Sequence, residues 1–308
     1  MTTSAVDALL PLGVEVPFAG IEAALGGAHQ DEGRRAPGHT FTATLVITGP
    51  HGRLIEAARA VDQLTDIGVR AILISDGTNP TPPVRVREHA VALEGLCPEY
   101  LNNAVAALRL SSLPTVVWWR GGAPEHLDGL AALADRLVLD AEAPEAVWAR
   151  AESLAALTAT SDLRWTALTR WRALTAHFFD IPEVRLAAAS FTSLVIEGAD
   201  RDAARLYAGW LKSSLDWASA VAIEWRTGTG AAPIERIALG GGAQALTLTL
   251  GADGACIETA ARVEGHAAAS RVVSLGGRDL ASLIGEELRI RSRDHAFERA
   301  VVAAQGVV

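Results

Sequence analysis

Residue types that support catalysis are scattered through this sequence, and the common catalytic motifs are missing. The sequence contains no Gly-x-Ser-x-Gly nucleophile elbow, no His-Glu-x-x-His zinc motif, no Walker A loop and no Gly-x-Gly-x-x-Gly dinucleotide fingerprint. None of the eight histidines lies three or four residues from another, which excludes a metal site built on one helix. Lys212 is the only lysine, and its neighbours fit neither a Schiff-base site nor a phosphate loop. We therefore expect no catalytic residue, no cofactor and no metal ion.

One loop has the composition of an anion site. Thr48-Gly49-Pro50-His51-Gly52-Arg53 lies between a predicted strand and a predicted helix, where backbone N–H groups and the helix dipole can bind phosphate. The candidate residues in it are Gly49, His51, Gly52 and Arg53. A tight strand-to-helix turn needs glycine for conformational reasons alone, and this structural interpretation is favoured.

Tryptophan next to arginine is the most unusual feature of the sequence. The chain has 8 Trp against 6 Phe and 2 Tyr. Since Trp and Arg are enriched where proteins bind one another, eight residues are candidates for a partner interface: Trp118, Trp119, Arg120, Arg164, Trp165, Arg170, Trp171 and Arg172. Burial of each Trp in the core is the competing interpretation. We expect Arg120 to leave the carboxyl edge of the predicted sheet as a charged group that a partner can reach.

The carboxylates and cysteines have simpler interpretations. Asp162 precedes a predicted helix, so an N-cap is favoured over catalysis. Cys97 and Cys256 are the only cysteines, which excludes a disulfide scaffold and a four-cysteine metal site. The two could form a redox pair, but nothing in the sequence brings them together, and two inert thiols are favoured.

Composition narrows the class of protein. The 308 residues are 50% hydrophobic and 20% charged, with a net charge of −9. Such a chain can bury a large core, and its acidic charge argues against binding nucleic acid through the phosphates. The first charged residue is Asp7, and no apolar run is long enough to cross a bilayer. The sequence therefore predicts neither a targeting segment nor a membrane span, and we expect a cytoplasmic protein.

The order of apolar runs predicts the α/β class: a mostly parallel sheet with flanking helices, followed by an α+β region with an antiparallel meander. Residues 1–40 are predicted to be an N-terminal arm and linker. Residues 41–140 are predicted to form the α/β domain, in which 84–93 is expected to be one strand. Residues 141–308 form the α+β domain, helical over 143–180, with Asp200 capping a later helix and a meander of four strands between 221 and 260.

Several of these segments together are similar to one protein family. The run from Leu113 to Gly121 resembles the Pro-x-x-x-Trp-Trp-Arg-Gly strand of the OpcA family, the glucose-6-phosphate dehydrogenase assembly proteins. The segment from Asp162 to Arg172, followed by Phe178-Phe179-Asp180, resembles its second signature, except that Arg170 stands where the family has proline. The arm from Val16 to Leu25 and the stretch from Leu280 to Phe297 also fit, so the likeness covers nearly the whole chain.

This resemblance implies a non-catalytic partner of glucose-6-phosphate dehydrogenase, which promotes assembly or allosteric activation of that enzyme in the oxidative pentose phosphate pathway. Cyanobacterial relatives are linked to thiol redox control, but no matching residues carry that property over to Cys97 or Cys256. The alternative hypothesis is an enzyme or sensor that binds a sugar phosphate or a nucleotide. It would use the sheet edge near Arg120 and the loop from Gly49 to Arg53.

Overall fold

The computed structural model describes residues 9–28, 41–217, 221–266 and 269–307. These residues form two compact units. The first takes in the described chain up to Ser161 together with Asp279–Arg293, and the second takes in Asp162–Arg278 together with the described chain from Asp294. The predicted boundaries at 40 and 141 follow composition rather than contacts, and as limits of independently folding segments they stay a prediction.

The first unit is built on one sheet of eight strands with helices around it. Its strands are β1 Val14–Val16, β2 Ala43–Gly49, β3 Val69–Asn79, β4 Val84–Arg87, β5 Ala90–Leu96, β6 Thr115–Trp119, β7 Arg136–Leu139 and β8 Ala159–Asp162. Its helices are α1 Ile21–Ala28, α2 His51–Asp62, α3 Leu101–Leu108, α4 Leu127–Leu133, α5 Glu145–Trp148, α6 Ala151–Leu157 and α11 Leu280–Arg289.

The central strands of this sheet run parallel in the order β5-β3-β2-β6-β7. Numbered along the chain, this is the order 3-2-1-4-5 of a doubly wound Rossmann sheet. Every residue of β2 and β6 is buried, as expected for strands whose two faces are both covered by helices. The predicted α/β class with a mostly parallel sheet is therefore confirmed.

One local prediction for the first unit is wrong. Residues 84–93 form a hairpin rather than one strand, because Glu88 turns the chain with φ of +51° and separates β4 from the antiparallel β5. Within the predicted arm, β1 pairs antiparallel with β4 and so extends the sheet. The remainder of the predicted linker, residues 29–40, lies outside the described residues.

A buried ion pair attaches α11 to the first unit. Arg136 on β7 lies 2.6 Å from Glu287, and both side chains are almost completely buried. The hydroxyl of Ser161 donates a hydrogen bond of 2.9 Å to the other oxygen of Glu287. The carboxylate therefore has two partners, which a buried charge needs in order to offset its desolvation.

The second unit combines a six-stranded mixed sheet with helices. Its strands are β9 Ser193–Gly198, β10 Ala222–Thr227, β11 Arg236–Gly241, β12 Gln244–Leu250, β13 Cys256–Arg262 and β14 Ala269–Ser274, in the order β10-β9-β11-β12-β13-β14. Its helices are α7 Leu163–Ala167, α8 Thr169–Phe179, α9 Pro182–Leu186, α10 Arg201–Ser214 and α12 His295–Ala304.

The meander is confirmed, but its members differ from those predicted. The antiparallel meander consists of β11 to β14, whereas β10 pairs in parallel with β9 after the crossover helix α10. The pattern missed β14 because its apolar residues do not alternate with polar ones, and the strand is exposed along nearly all of its length. The predicted helical stretch 143–180 is also interrupted by β8.

A close helix pair completes the second unit. A Cβ atom at Gly209 of α10 would lie 2.4 Å from the carbonyl oxygen of Ala300 on α12, so only glycine permits this approach. Asp200 accepts hydrogen bonds from the N–H groups of Asp202 and Ala203, which confirms its predicted role as the N-cap of α10. Among the described helices, none is both long and apolar enough to span a bilayer.

Candidate functional site

The first unit brings together the two predicted sets of residues at its sheet edge. Strand β2 ends at Gly49 and leads into the candidate anion loop, and the neighbouring β6 ends in Trp118-Trp119 before Arg120. Because parallel neighbours end at the same edge, the loop and Arg120 meet at the point where the strand order reverses. Asp140, directly after β7, lies at this edge as well.

Asp140 is the centre of this first cluster. One carboxylate oxygen lies 3.0 Å from Nη2 of Arg53. The other accepts a hydrogen bond of 2.8 Å from Nε of Arg120 and one of 3.2 Å from the indole N–H of Trp118. Arg53 also donates to the backbone carbonyl oxygens of Arg120 and Asp140, at 2.8 and 2.7 Å. One carboxylate thus pairs with two arginines and connects the ends of three strands.

The prediction that Arg120 extends from the sheet as an accessible charge is wrong. Its side chain is 2% exposed, and besides Asp140 it faces Glu56 at 3.3 Å and donates to the carbonyl oxygen of Arg53. Its guanidinium also lies over the ring of Trp118, 4.9 Å from the centroid. A buried guanidinium must be paired, and here the nearest carboxylates come from the chain itself.

The two loops at this edge pack directly on one another. A Cβ atom at Gly49, where φ is +149°, would lie 3.1 Å from the carbonyl carbon of Arg120. At Gly121, where φ is +131°, it would lie 3.3 Å from the ring of Pro50. Both glycines are therefore explained by close backbone approach, as the structural interpretation of this loop requires. His51 and Gly52 open α2 at the partly exposed surface beside them.

Asp76 lies at the same edge, near the end of the long strand β3. Partial burial raises the pKa of its carboxyl above the ordinary value, although nearby His126 acts in the opposite direction. The loop after β6 approaches it closely, since a Cβ atom at Gly122 would lie 2.7 Å from Oδ2 of Asp76. Sequence reasoning missed both Asp140 and Asp76. The available signal was an aspartate at the end of a buried parallel strand.

The second unit contains the other predicted residues around Trp165. The indole N–H of Trp165 donates a hydrogen bond of 2.7 Å to Asp294, and the ring packs against Phe297 with centroids 5.8 Å apart. The guanidinium carbon of Arg172 lies 3.5 Å from the ring centroid, in the position of a cation–π contact. Asp294 is also the N-cap of α12, so Trp165 connects α7, α8 and α12.

The start of the same segment is fixed by two aspartates. Asp162 accepts a hydrogen bond of 2.8 Å from the N–H of Arg164, which confirms the predicted N-cap. Arg164 in turn lies 3.1 Å from Asp200, the residue that caps α10. Of the eight predicted interface residues, the four tryptophans and Arg120 are buried, Arg164 and Arg172 are partly buried, and Arg170 is exposed.

Neither cysteine has the environment of an activated thiol. A hydrogen bond with Glu99 raises the pKa of Cys97 above its usual value. Local desolvation raises the pKa of Cys256, with Asp253 adding to the effect. Because the thiolate is the reactive form, both shifts lower reactivity. Within the described part of the chain, no group of three or more His, Cys, Asp or Glu residues is arranged to hold a metal ion.

Comparison with known proteins finds a family match in the second half of the chain. Residues 158–301 match the family model for OpcA, described as the C-terminal domain of a glucose-6-phosphate dehydrogenase subunit. The chain is also 33% identical over 129 residues to the "Putative OxPP cycle protein OpcA" of Synechocystis sp.. It is 35% identical over 128 residues to the protein of the same name from Synechococcus elongatus.

Residues 158–301 make up less than half of the 308-residue chain. The two cyanobacterial matches each take in 39% of this chain, but only 27% and 29% of the relatives' own length. The chain therefore aligns with less than a third of either curated relative, and the comparisons support the OpcA family for this part of the chain.

Among solved structures, the chain is similar to the aldose–aldose oxidoreductase of Caulobacter crescentus, with a TM-score of 0.51 and 9% sequence identity. That similarity covers 87% of this chain and 95% of the oxidoreductase chain. At such low identity it shows a shared α/β fold alone.

Proposed function

We propose that this chain is a non-catalytic accessory protein of the oxidative pentose phosphate pathway. It binds glucose-6-phosphate dehydrogenase and favours the active oligomer of that enzyme. The observation that carries the proposal is the match of residues 158–301 to a family model named for a subunit of the dehydrogenase. The curated relatives named as OxPP cycle proteins support the same pathway.

The geometry of the first cluster argues against a bound phosphate, and it therefore favours the accessory role over a phosphate-binding one. In doubly wound proteins that bind dinucleotides, a glycine-rich loop at the point of strand reversal leaves room for a pyrophosphate. In this chain the loop after β2 packs on the loop after β6, and Arg53 and Arg120 are already paired with Asp140. A phosphate would have to compete with that carboxylate for both arginines.

We propose Arg170 as the contact residue within the second signature. It is exposed on α8, and arginine is enriched among residues that dominate binding energy. The tryptophans on either side act indirectly, since Trp165 and Trp171 are each only 2% exposed and hold α7 and α8 in place. The contact would then depend on a surface arginine presented by a rigid, tryptophan-packed support.

The test is an activity assay of purified dehydrogenase from the same organism, with and without this protein, below and above KM. For a tenfold activation, the free energy of binding to the active state of the dehydrogenase must be only about 1.4 kcal/mol more favourable than that of binding to the inactive state. Arg170→Glu should weaken activation at unchanged thermal stability, whereas Arg185→Glu, an exposed arginine on α9, serves as the matched control. No activation at either substrate level, together with no co-elution at micromolar concentration, would reject the proposal.

The alternative function is a sensor of a nucleotide or a sugar phosphate. The observation that favours it is the strand order 3-2-1-4-5, which places the loop after β2 at the usual ligand crevice. Thermal unfolding with NADP, glucose 6-phosphate or 6-phosphogluconate separates the two functions. A ligand that binds only the folded state at 100 times its Kd would stabilise the chain by about 2.7 kcal/mol. Stabilisation by one ligand, lost in Arg53→Ala, would favour the sensor.

A further inference from the structure

The six-stranded sheet of the second unit is covered on one face only. Side chains that point to one face are buried against the helices, namely Leu194, Ile196, Ile237, Leu239, Leu246 and Leu248. Their neighbours in sequence point to the opposite face, and each of these is exposed or partly exposed. We call this second surface, formed by the outward residues of β9 to β14, the open face.

Charge is distributed across the open face as in a protein interface. By strand register its centre consists of uncharged residues: Ser193, Val195, Ala238, Gly240, Ala245, Thr247, Ala260 and Ser270. Charged residues lie around this centre, namely Glu197, Glu224, Arg226, Arg236, Glu258 and Arg262. A centre depleted of charge within a polar rim is characteristic of protein–protein contacts.

The dimensions of the open face suit another sheet. The five spacings of about 4.8 Å between its six strands and six residues at about 3.3 Å each give an area of roughly 24 by 20 Å. Covering this area on two copies would bury about 1,000 Å², which is the lower limit for a specific interface. Small central side chains also allow two such faces to approach to the roughly 10 Å spacing of packed sheets.

We propose that the open face binds the open face of a second copy of this chain, with the twofold axis running along β11. Rotation about this axis places β10 of one copy opposite β13 of the other. By register, Arg226 on β10 and Glu258 on β13 lie in the same row of the sheet, so each meets the opposite charge of the second copy. The face is thus complementary to itself.

The two Arg236 side chains meet near the axis. Each already lies 3.1 Å from Glu197 in its own copy, which reduces their mutual repulsion. At the centre, the row of Val195, Ala238 and Thr247 meets the same row of the second copy in reverse order. Apolar and hydroxyl side chains of this size can pack there without leaving a buried charge.

The first experiment is sedimentation velocity of the full chain from about 1 to 100 µM, the range in which a modest homodimer dissociates. The proposal expects a dimer that dissociates on dilution. Ala238→Arg should raise the dissociation constant by roughly tenfold or more, because it forces unpaired charge into the centre. Ala176→Arg on the exposed surface of α8 is the matched control and should leave the dimer intact. Circular dichroism verifies that both variants are folded.

A charge exchange tests the axis. Arg226→Glu and Glu258→Arg should each weaken the dimer, and the double variant should recover most of the wild-type affinity. A chain that stays monomeric at the highest concentration overturns the proposal. So does a dimer whose dissociation constant is unaffected by Ala238→Arg. A double variant that does not recover the wild-type affinity overturns it as well. If the chain is monomeric and Ala238→Arg instead abolishes binding to the dehydrogenase, the occupant of the open face is that enzyme and the second-copy proposal fails.

Discussion

The two clusters that pair tryptophan with arginine use the arginine in opposite ways. In the first unit a carboxylate is at the centre, and Asp140 holds Arg53, Arg120 and the indole N–H of Trp118. In the second unit an indole is at the centre, and Trp165 has Arg172 on its face and Asp294 at its N–H. The first arrangement is electrostatic and contains the buried Arg120, whereas the second is a stacked contact with the partly exposed Arg172.

This difference shows why adjacency of Trp and Arg in sequence does not define a binding surface. At Trp118 to Arg120, a strand end inserts both residue types under neighbouring loops, and the charge is neutralised by residues distant in sequence. At Trp165 to Arg172, the guanidinium from α8 stacks on the indole ring from the preceding helix α7. Residues of the same types thus stabilise strand ends in one unit and helix packing in the other.

The largest expected effect comes from removing the carboxylate of the first cluster. Asp140→Ala leaves Arg120 buried with only the more distant Glu56, and leaves Arg53 without its 3.0 Å partner. Breaking a buried ion pair in this way costs about 3–5 kcal/mol. Urea unfolding measures the loss. Glu142→Ala is the matched control, because this 83% exposed carboxylate also faces Arg53, at 3.8 Å, and an exposed pair contributes about 0–1 kcal/mol. Equal losses for the two variants would show that Asp140 is not the centre.

The sequence predicts the alternation that forms the first sheet, because buried parallel strands are continuous apolar runs. Every residue of strands β2, β6 and β7 is buried, as such runs require. The hairpin of β4 and β5 was not predicted, since Glu88 adopts a positive φ that few non-glycine residues adopt. Strand β14 was missed because a strand exposed on both faces has no apolar periodicity.

The candidate site was predicted only in part. The residue types at Trp118 to Arg120 and at Asp162 to Arg172 are visible in the sequence, and so is the N-cap at Asp162. Their carboxylate partners are not, because Asp140 and Asp294 reach the clusters through tertiary packing. Whether an arginine is exposed depends on such partners. The burial of Arg120 and the exposure of Arg170 could therefore be seen only in the structure.

An intermediate effect is expected from the stacked contact of the second cluster. Arg172→Ala removes a guanidinium 3.5 Å from the Trp165 ring and its 3.3 Å hydrogen bond to the carbonyl oxygen of Trp165. A cation–π contact is worth about 0.5–2 kcal/mol, depending on its exposure. Arg172→Lys should recover only part of this, since ammonium lacks the planar stacking surface. The exposed neighbour Arg170 is the control, and Arg170→Ala should change unfolding free energy by less than about 0.5 kcal/mol. A loss at Arg172 as large as that at Asp140 would remove the contrast between the clusters.

The smallest effect distinguishes the two units by their response to alkaline pH. The first cluster consists of carboxylate–arginine pairs and an indole, and it contains no phenol. In the second unit, Tyr207 is completely buried beside Thr175, and burial raises the pKa of its phenol above the ordinary value. As the pH passes about 10, a tyrosine in the unfolded chain loses its proton while folded Tyr207 keeps its own. The folded state then holds more protons than the unfolded one, so stability falls as pH rises, by up to about 1.4 kcal/mol per unit.

Tyr207→Phe removes this dependence, and its matched control is the second tyrosine of the chain, the half-exposed Tyr100. At pH 8 the Phe variant should be less stable than wild type by about 0.5–1.5 kcal/mol, because the hydrogen bond with Thr175 is lost. Between pH 9 and 11 this deficit should shrink, since only the wild type loses the contribution of a neutral Tyr207. Tyr100→Phe should keep the wild-type slope, because it leaves the buried phenol of Tyr207 in place. All other titratable groups are common to the three proteins and so cancel in the comparison. Urea unfolding at stepped pH gives the three slopes, and parallel slopes for wild type and Tyr207→Phe would mean that the buried phenol does not resist ionisation.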